Sequence, residues 1–481
     1  MTKDIIVFIP GIGGSRLERD GKAIYDLSVS ALSRLIWSWG GGGLAYLGGS
    51  GKPDDGVVAT DLFNNQLIPG YFGVADYDGF CVSLQAAVGN PAQQFFKFPY
   101  DWRASNRWAA EALDAFIRPK LHDWRQGAGG SDAKLWLVCH SMGGLVARYF
   151  LEHLGGADIT RHLITIGTPH RGAPKALNAL VNGLGLGPLD FSTVIRSFAS
   201  TYELLPQYPV VRVAGDDDAP LARVADFFDV GPALPVPDVL GGATPAPNGL
   251  GPLPHIQQDR LQDALAFHAA IRHPVLKRME SGEAAPYKIS CFFNRRQTTQ
   301  QSARWVAETL TMSDDPPIPG TEGTDTALRR GDGTVPGPSA VPIEWPDTAE
   351  AIAIDEKHAT MPAASAVTDI IHNYANPLDA KRYMGGAAPE NTIGLTVPPL
   401  VMVGHAFDIA VDVIRTAKLT VTVTPVASAL VVQSERILVG ERSSKRLEFT
   451  LREQGTYIVT ARSVDPMRPA ISDWVVAVTQ P

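Results

Sequence analysis

Cysteine is scarce in this sequence. The three cysteines, Cys81, Cys139 and Cys291, are far apart, and none belongs to a C-x-x-C pair. An odd number of isolated cysteines indicates neither a disulfide framework nor a zinc site. We therefore expect the thiols to be reduced and the protein to fold in a reducing compartment.

The sequence also lacks an excess of basic residues. Its 42 lysines and arginines are outnumbered by 50 aspartates and glutamates, which gives a formal net charge of −8. That balance provides no basic surface for a nucleic acid and does not favour attraction to an anionic membrane. We expect no nucleic-acid partner, and a lipid partner would have to be held by apolar contacts.

Long apolar runs are missing as well. The stretch from Leu35 to Gly51 is uncharged but rich in glycine, and it is shorter than the roughly 20 apolar residues of a spanning helix. We read it as a flexible surface excursion. The N-terminus passes directly into the apolar run Ile5 to Ile9 without a signal-peptide pattern. We expect a first buried strand there and a cytoplasmic protein, with secretion by a signal-independent route left open.

Apolar residues are nevertheless abundant, and their pattern alternates. The chain has 481 residues, of which 45% are hydrophobic, so two or three domains are expected. Short β-branched runs, "DIIVFIP", "QFFKFPY", "KLWLVCH" and "HLITIGTP", follow helical segments, one of which starts at a Ser105 or Asn106 cap. This alternation predicts an α/β fold with a mostly parallel sheet and helices on both faces.

Two changes in composition suggest the domain plan. An α/β domain is expected over residues 1–384, with a lid or cap insertion at about 175–258 whose later part is rich in proline. Apolar residues then alternate with period two, which predicts an immunoglobulin-like β-sandwich over residues 387–481. The segment around Gly455 reads as a hairpin. The sandwich shows no catalytic pattern, and a packing or protein-docking role is expected for it.

The stretch "LWLVCHSMGGLVARYF", residues 135–150, interrupts apolar sequence with polar and small residues. A strand, a tight turn carrying Ser141 and then a helix form the arrangement of a nucleophile elbow, G-x-S-x-G. Gly143 supplies one small residue, and Cys139 stands where the first glycine is usual. The amide of Met142, at the start of the helix, is a candidate donor to an oxyanion.

A serine nucleophile needs a histidine base and an acid, in the chain order serine, acid, histidine for this kind of elbow. Asp332 in "RRGDGTVPG" and His358 in "AIAIDEKHATM" fit that order. Weaker candidates remain: for the base His140, His170, His122, His153, His162 and His372, and for the acid Asp325, Glu322 and Asp355.

The loop after the first strand, "FIPGIGGSRLE", offers the second oxyanion donor. The amide of Ile12 is the candidate, since such loops supply a backbone N–H in hydrolases with this elbow. A dinucleotide fingerprint is the rival interpretation, but Arg16 occupies the position of the last glycine in G-x-G-x-x-G.

Several segments together resemble one family. "PGIGGSRLE", "FPYDWR", "CHSMGGLVARYFL", "GTPHRGAPKAL" and "GDGTVP" occur in this order. They resemble the lecithin:cholesterol acyltransferase family of α/β-hydrolases, which includes lysosomal phospholipase A2. The resemblance spans about residues 5–375 and implies an α/β-hydrolase fold with Ser141 as nucleophile, Asp332 as acid, His358 as base, and oxyanion amides at Ile12 and Met142. Cys139 and the β-sandwich depart from the family pattern.

Two further segments each allow two interpretations. Arg103 in "PYDWR" either forms a buried pair with Asp101 or contacts the substrate. Leu184, Leu186 and Phe191 lie in an apolar, glycine-loosened stretch. They are expected in a lid that covers an acyl-chain pocket and makes transient contact with a membrane surface, the alternative being an ordinary packed helix.

The sequence thus predicts a serine hydrolase that cleaves carboxylic esters of lipids through an acyl-enzyme, as a phospholipase or lipase does. The first alternative is an O-acyltransferase that passes the acyl group to an alcohol. The second is a non-catalytic scaffold or binding protein. No metal and no organic cofactor is expected, and the expected partner is a lipid or another acyl ester.

Overall fold

The structure is a computed structural model. Of the 481 residues it describes 1–25, 48–49, 52–53, 55–63, 66–68, 72–74, 77–186, 189–213, 221–222, 224, 228, 255–307, 309–314, 330–345, 351–375, 393–426, 428, 430–465, 468 and 470–479. Most of the glycine-rich stretch 35–51 and the proline-rich part of the insertion lie outside the described residues. The expected domain boundary at 384–387 lies outside them too.

The elements up to residue 375 are as follows. The strands are β1 (Ile5–Ile9), β2 (Ser15–Arg19), β3 (Lys22–Tyr25), β4 (Val57–Leu62), β5 (Gln66–Ile68), β6 (Phe72–Val74), β7 (Phe95–Lys97), β8 (Leu135–His140), β9 (Thr160–Ile166), β10 (Gly185–Leu186), β11 (Leu189–Asp190), β12 (Val211–Val213), β13 (Leu221–Ala222), β14 (Lys288–Phe293), β15 (Ser302–Val306), β16 (Thr309–Ser313) and β17 (Ile352–Ala353). The helices are α1 (Tyr77–Ala86), α2 (Pro91–Gln94), α3 (Asn106–Gln126), α4 (Gly143–His153), α5 (Pro174–Val181), α6 (Ser192–Ser197), α7 (Ala199–Glu203), α8 (Gln258–Ser281) and α9 (Ser365–Ala375). Among the helices of these described ranges, none is long and apolar enough to cross a membrane.

A parallel sheet organises this part of the chain. Its six strands have the order β17-β14-β9-β8-β1-β7, and every neighbouring pair is parallel. Every residue of β1 and β8 is buried, as expected for parallel strands covered on both faces. The four strands predicted from sequence, β1, β7, β8 and β9, are adjacent in this sheet.

Helices cover both faces of the sheet, as predicted. Ile5, Val7 and Ile9 of β1 belong to one hydrophobic cluster with α3 and α4. The intervening residues Ile6 and Phe8 point to the opposite face and belong to a second cluster with α1 and α9. The alternation of side chains along a strand thus divides the core into two layers. The fold is an α/β-hydrolase fold.

The parallel arrangement determines where polar side chains gather. The turns that follow β1, β8, β9 and β14 all leave from the carboxyl edge of the sheet, because neighbouring parallel strands run in one direction. In open α/β sheets, ligands bind outside this edge. Side chains that are distant in sequence are therefore brought together there.

The C-terminal strands form two further sheets. The strands are β18 (Ile393–Thr396), β19 (Leu400–Met402), β20 (Ala406–Val413), β21 (Ala417–Pro425), β22 (Gln433–Val439), β23 (Ser443–Thr450), β24 (Gly455–Ser463) and β25 (Ile471–Val478). One sheet has the order β18-β20-β23 and the other β19-β25-β24-β21-β22. Both contribute alternating residues to one hydrophobic cluster, as in a β-sandwich.

The expected hairpin at Gly455 is wrong. β23 pairs with β20 in one sheet, whereas β24 pairs with β21 and β25 in the other. The residues between β23 and β24 cross from one sheet to the other, with Leu451 buried in the core. A period-two pattern on both sides of a glycine is the same for a hairpin and for such a crossing, since both bury alternate residues.

The close approach of β1 and α4 yields a prediction about stability. A Cβ atom on Gly143 would lie 2.5 Å from the carbonyl oxygen of Pro10 and 2.6 Å from that of Ile9. Because backbone would have to shift, we expect Gly143→Ala to lower the free energy of unfolding by about 3 kcal/mol. Thermal unfolding measures this. Gly89→Ala is the control, since its Cβ would meet its nearest atom at 3.7 Å; equal melting temperatures for the two variants would contradict the prediction.

Candidate active site

Ser141 occupies a strained turn between β8 and α4. Its φ angle is +52°, in the left-handed region that residues other than glycine rarely adopt. Its N–H donates to the carbonyl of Ile166 at 2.9 Å, and the hydroxyl of Thr168 donates to its carbonyl at 2.8 Å. The predicted elbow is therefore present as a backbone conformation, held by the end of the neighbouring strand β9.

Small residues surround this turn because the chain segments approach closely. A Cβ atom on Gly11 would lie 2.9 Å from the Cβ of Ser141, and one on Gly144 would lie 2.2 Å from the hydroxyl of Thr168. Cys139, two residues before Ser141, is fully buried in the sheet. Burial raises the pKa of its thiol well above the usual value, so Cys139 acts as a small apolar group in place of glycine.

The three residues proposed from sequence as nucleophile, base and acid meet at this edge. Nε2 of His358 lies 2.8 Å from Oγ of Ser141, although the two residues are 217 positions apart. Nδ1 of His358 lies 2.7 Å from Oδ2 of Asp332. All three side chains are buried. Serine, imidazole and carboxylate thus form one hydrogen-bonded chain, while their roles in a reaction remain a prediction.

The loop around Asp332 orients its carboxylate. Oδ1 accepts the backbone N–H groups of Thr334 at 2.9 Å and Val335 at 2.7 Å, which leaves Oδ2 for His358. The carbonyl of Asp332 also accepts the backbone N–H of His358 at 2.9 Å. Acid and base are therefore joined through both backbone and side chain.

Two residues outside the predicted set make room for this pair. The hydroxyl of Thr299 accepts the N–H groups of Gly331 and Gly333 at 3.0 and 2.9 Å, which fixes the turn on either side of Asp332. Gly167 follows β9 with a φ of +60°, and a Cβ atom there would lie 3.0 Å from both Oδ2 of Asp332 and Nδ1 of His358. A larger residue at Gly167 would press on the carboxylate–imidazole contact.

His140, the histidine next to Ser141, has both ring nitrogens engaged elsewhere. Nε2 lies 2.9 Å from the carbonyl of His358, which can only accept, so Nε2 carries the proton. Nδ1 then accepts the hydroxyl of Tyr77 at 2.6 Å, and that oxygen accepts the N–H of Gly11 at 3.0 Å. Burial, with a smaller contribution from His358, lowers the pKa of His140 to about 3. His140 is therefore neutral and joins the Gly11 loop to the backbone of His358.

Two more histidines considered for the base have partners away from Ser141. Nε2 of His170 lies 3.2 Å from the hydroxyl of Thr165, and burial lowers its pKa. Nε2 of His372 lies 2.8 Å from the carbonyl of Ser83. Of the residues considered for the acid, Asp325 and Glu322 lie outside the described residues.

The two residues proposed as oxyanion donors flank Ser141. Ile12 lies in a tight turn in which the N–H of Gly14 donates to the carbonyl of Gly11 at 3.0 Å. Gly13 has a φ of +74°, the value that the third position of a type II turn requires. Met142 is buried directly before the first residue of α4. Their function as donors stays a prediction.

A pocket opens beside Ser141 and His358. Ile12 and Ser141 are part of its wall, and the other lining residues are Pro169, Ala173, Lys175, Ala176, Leu204, Thr334, Val335 and His358. Most of these side chains are apolar, which suits an acyl chain. Lys175 adds an ammonium group in the first turn of α5, although a cation at a helix N-terminus is unfavourable. Burial lowers its pKa to about 8, against the opposing effect of Asp332 and Asp473.

Arg103 is buried within ion pairs. Its guanidinium contacts the carboxylate of Asp101 at 2.6 Å and that of Asp55 at 3.1 Å, and 2% of its side chain is exposed. Arg103 is not among the residues that line the pocket. The geometry agrees with the interpretation of "PYDWR" as an ordered, buried pair, and a substrate contact for Arg103 is left without support.

Two of the three residues proposed for a lid are packed in this structure. Leu184 and Phe191 are buried in the main hydrophobic cluster, together with Phe198. The side chain of Leu186 lies outside the described residues. The burial agrees with the alternative of ordinary packing, and neither Leu184 nor Phe191 lines the pocket beside Ser141. An opening of this segment toward a lipid stays a prediction.

Sequence patterns gave no indication of Tyr77, Gly167 or Thr299, because their roles depend on contacts between distant segments. Tyr77 lies 63 positions from His140. Lys175 carried a signal that could have been used. It directly follows Pro174, which favours the first position of a helix, so a cation was recognisable at an unfavourable helix end.

Comparisons with known proteins support the family resemblance. The family model for lecithin:cholesterol acyltransferase matches residues 50–220. The resemblance to this family is therefore confirmed over that range, and it supports a lipid acyl-ester activity, hydrolysis or acyl transfer, in general terms. No curated protein matches the chain.

Among solved structures, the chain is similar to the Tle4–Tli4 complex, with 14% identity, a TM-score of 0.49 and coverage of 80% of this chain and 100% of that chain. The CARDB domain of PF1109 from Pyrococcus furiosus matches with 18% identity, a TM-score of 0.15 and coverage of 18% of this chain and 93% of that one. A superoxide reductase (neelaredoxin) from Ignicoccus hospitalis matches with 9% identity, a TM-score of 0.15 and coverage of 18% and 80%.

The contacts of Tyr77 generate a prediction about the site. Tyr77→Phe removes the partner of both the Gly11 N–H and Nδ1 of His140, each of them buried. Since an unsatisfied buried polar group costs about 1–3 kcal/mol, the loops that carry Ile12 and His358 should lose their fixed positions. We expect kcat for a soluble chromogenic ester to fall about tenfold or more. Tyr457→Phe, which removes a hydroxyl bonded to the Glu453 carbonyl in the sandwich, is the control. Equal kcat for the two variants would contradict the role of Tyr77.

Proposed function

We propose that the protein is a serine hydrolase that cleaves carboxylic esters of lipids through an acyl-enzyme. The observation that carries this proposal is the hydrogen-bonded chain Ser141–His358–Asp332, with contacts of 2.8 and 2.7 Å, at a strained turn beside a largely apolar pocket. A serine hydroxyl is a weak nucleophile without such a base. The match to the lecithin:cholesterol acyltransferase family model supports lipid esters as the substrate class.

In the proposed first half-reaction, Nε2 of His358 takes the proton from Oγ of Ser141 as this oxygen attacks the acyl carbonyl carbon. Asp332 holds Nδ1–H and stabilises the imidazolium that forms. The backbone amides of Ile12 and Met142 donate to the oxyanion of the tetrahedral intermediate. The ester C–O bond then breaks, and the leaving alcohol takes its proton from His358.

In the second half-reaction, His358 removes a proton from a water molecule that attacks the acyl-enzyme carbonyl. The fatty acid leaves as the bond to Oγ breaks, and the proton returns to Ser141. An alcohol in place of water would yield a new ester by the same steps. Acyl transfer is the second candidate because the matched family model is named for an acyltransferase, and hydrolysis is the default.

The products formed from a lipid distinguish hydrolysis from acyl transfer. Purified protein is incubated with a phospholipid labelled in its acyl chains, with and without an added long-chain alcohol. We expect labelled free fatty acid as the main product in both incubations. Ser141→Ala should reduce the rate about 10⁶-fold and Asp332→Asn about 10⁴-fold, as in other serine hydrolases of this design.

Three outcomes would redirect the interpretation. Labelled ester exceeding fatty acid in the presence of alcohol favours the acyltransferase. Product formation by Ser141→Ala equal to that of the unchanged protein excludes Ser141 as nucleophile. Absence of products, together with absent labelling of Ser141 by a fluorophosphonate probe, indicates the non-catalytic scaffold.

Lys175 leads to a prediction about pH. Its pKa is lowered from 10.5 to about 8, so the ammonium is charged below pH 8 and is lost as pH rises through that value. If it pairs with the phosphate of a phospholipid, KM for phospholipid should rise about tenfold from pH 7 to 9, the value of one charge-assisted hydrogen bond of about 1.5 kcal/mol. KM for an uncharged diacylglycerol should not show this rise between pH 7 and 9.

The ratio of the two KM values is the appropriate measurement, because a pH effect on the shared catalytic groups changes both KM values alike. Lys175→Met should abolish the pH dependence of that ratio. Lys418→Met, a change of an exposed lysine on β21, serves as the control. If the ratio of the two KM values varies with pH to the same extent in Lys175→Met and in Lys418→Met, Lys175 has no role in head-group recognition.

A further inference from the structure

The β-sandwich contacts the loop that carries His358. The ammonium of Lys357, the residue before His358, pairs with Oδ2 of Asp473 on β25 at 2.6 Å, with 14% and 20% of the two side chains exposed. On the other side of His358, Ala359 packs against Trp474, the neighbour of Asp473. The base is therefore bracketed in sequence by two residues that touch the same strand of the sandwich.

The sandwich also contacts the segment that supports Asp332. The backbone of Gln297 exchanges two hydrogen bonds with Gly331, at 2.9 and 3.1 Å. Its side-chain amide donates to the carbonyl of Ile393 at 3.1 Å and accepts the N–H of Leu395 at 3.2 Å, both on β18. Gln297 is buried. One residue thus joins the turn of the acid to an edge of the sandwich.

Lys357 connects the two loops as well. A Cβ atom on Gly333, next to Asp332, would lie 3.8 Å from Cδ and 4.0 Å from Nζ of Lys357. The side chain of Lys357 therefore passes alongside the acid turn before it reaches the sandwich. Its carbonyl accepts the N–H groups of Thr360 and Met361 at 3.1 and 2.9 Å, which closes the turn that carries His358.

The carboxylate of Asp473 is well placed to hold this arrangement. Its Oδ1 accepts the N–H of Trp474 at 2.9 Å, which orients Oδ2 toward Lys357. β25 pairs with β24 along seven residues, from Gly455↔Ala477 to Ala461↔Ile471, and Asp473 is opposite Val459 in that ladder, so the carboxylate stands on a strand that is held along its length. Asp473 also raises the pKa of Lys175, which places its charge within electrostatic reach of the pocket.

We propose that the β-sandwich is an integral part of the catalytic centre, and that Asp473 is a positioning residue that acts on His358 through Lys357. Contacts of 2.7 and 2.8 Å around the imidazole require a loop fixed to a fraction of an ångström. The turn of His358 extends from the short edge strand β17, which pairs with β14. Attachment to β25, which pairs with β24 over seven residues, supplies the rigidity that the two-residue strand β17 does not.

The experiment uses the full chain with Asp473→Asn, Lys357→Met and the corresponding double variant. Asp408→Asn is the matched control, because Asp408 lies in the same sandwich but pairs with Arg446 at 4.0 Å as an exposed residue. For each protein, Ser141 is titrated with a fluorophosphonate, and kcat for a soluble ester is expressed per labelled serine. KM, the rate of labelling and the thermal midpoint are measured in parallel.

We expect kcat per labelled serine to fall between about tenfold and a hundredfold in Asp473→Asn and in Lys357→Met, the effect of a small misplacement of a catalytic group. KM should stay within about twofold, and the thermal midpoint should match that of Asp408→Asn. The double variant should lose no more than either single variant, because both remove one interaction. Asp473→Glu should recover most of kcat.

Several results would overturn the proposal. One is a kcat per labelled serine in Asp473→Asn equal to that of Asp408→Asn. Another is a double variant whose loss is the product of the two single losses. A lower thermal midpoint with unchanged kcat per labelled serine would also overturn it, since the sandwich would then contribute stability alone.

The inference rests on the proposed roles of Ser141 and His358, and it is independent of the substrate. The fluorophosphonate reacts with an activated serine whatever lipid the protein accepts. Normal labelling without lipid hydrolysis would therefore remove the proposed substrate class and leave the role of Asp473 intact. Equal labelling rates for Asp473→Asn and Asp408→Asn, together with normal lipid hydrolysis, would remove the role of Asp473 and leave the proposed substrate class intact.

Discussion

The left-handed backbone of Ser141 is the constraint on which the arrangement around it depends. A residue with a Cβ atom in this region is strained by about 1–3 kcal/mol, so the turn persists only because its surroundings hold it. β8 before the turn is fully buried, and nearly all of α4 after it is buried as well. Because strand and helix are both fixed in the core, Ser141 has no freedom to relax into an ordinary turn.

The same constraint explains the composition around the site. The close approach leaves space for hydrogen atoms at Gly11, Gly143 and Gly144 and for a small side chain at Cys139. Polar groups forced into this crowded edge then need partners. Tyr77 and His140 satisfy each other, the Gly11 N–H and the carbonyl of His358 in one chain of hydrogen bonds. The crowding that presents Ser141 therefore also ties the first loop of the fold to the loop of the proposed base.

Local patterns in the sequence were sufficient for the parallel strands and for the turn at Ser141, because each depends on residues that are close along the chain. Asp332 and His358 were chosen by the chain order usual for such an elbow, and the structure brings their side chains to Ser141. Of the two caps expected for α3, Ser105 is the N-cap, since its hydroxyl accepts the N–H of Arg107 and the helix begins at Asn106. Contacts between distant segments had no such signal: Gln297 and Leu395, which join the two parts of the chain, are 98 positions apart. The hairpin expected at Gly455 is wrong, and the lid expected at Leu184 stays a prediction. The reason is related in both cases, because each sequence pattern fits two arrangements equally.

The charges around the pocket show why the two parts of the chain belong together. Asp332 and Asp473 carry negative charges, and both raise the pKa of Lys175, whereas Lys357 opposes them. The two carboxylates balance the two ammonium groups within this set of four. In the proposed mechanism the imidazolium of His358 and the oxyanion form together, so the reaction adds no net charge to this set. Since an uncompensated buried charge is costly, loss of the Asp473 carboxylate alone would leave the ammonium groups of Lys175 and Lys357 opposed by Asp332 only. In addition to the contacts that hold the loops of the site, the sandwich therefore contributes one carboxylate to the charges that act on Lys175 in the pocket.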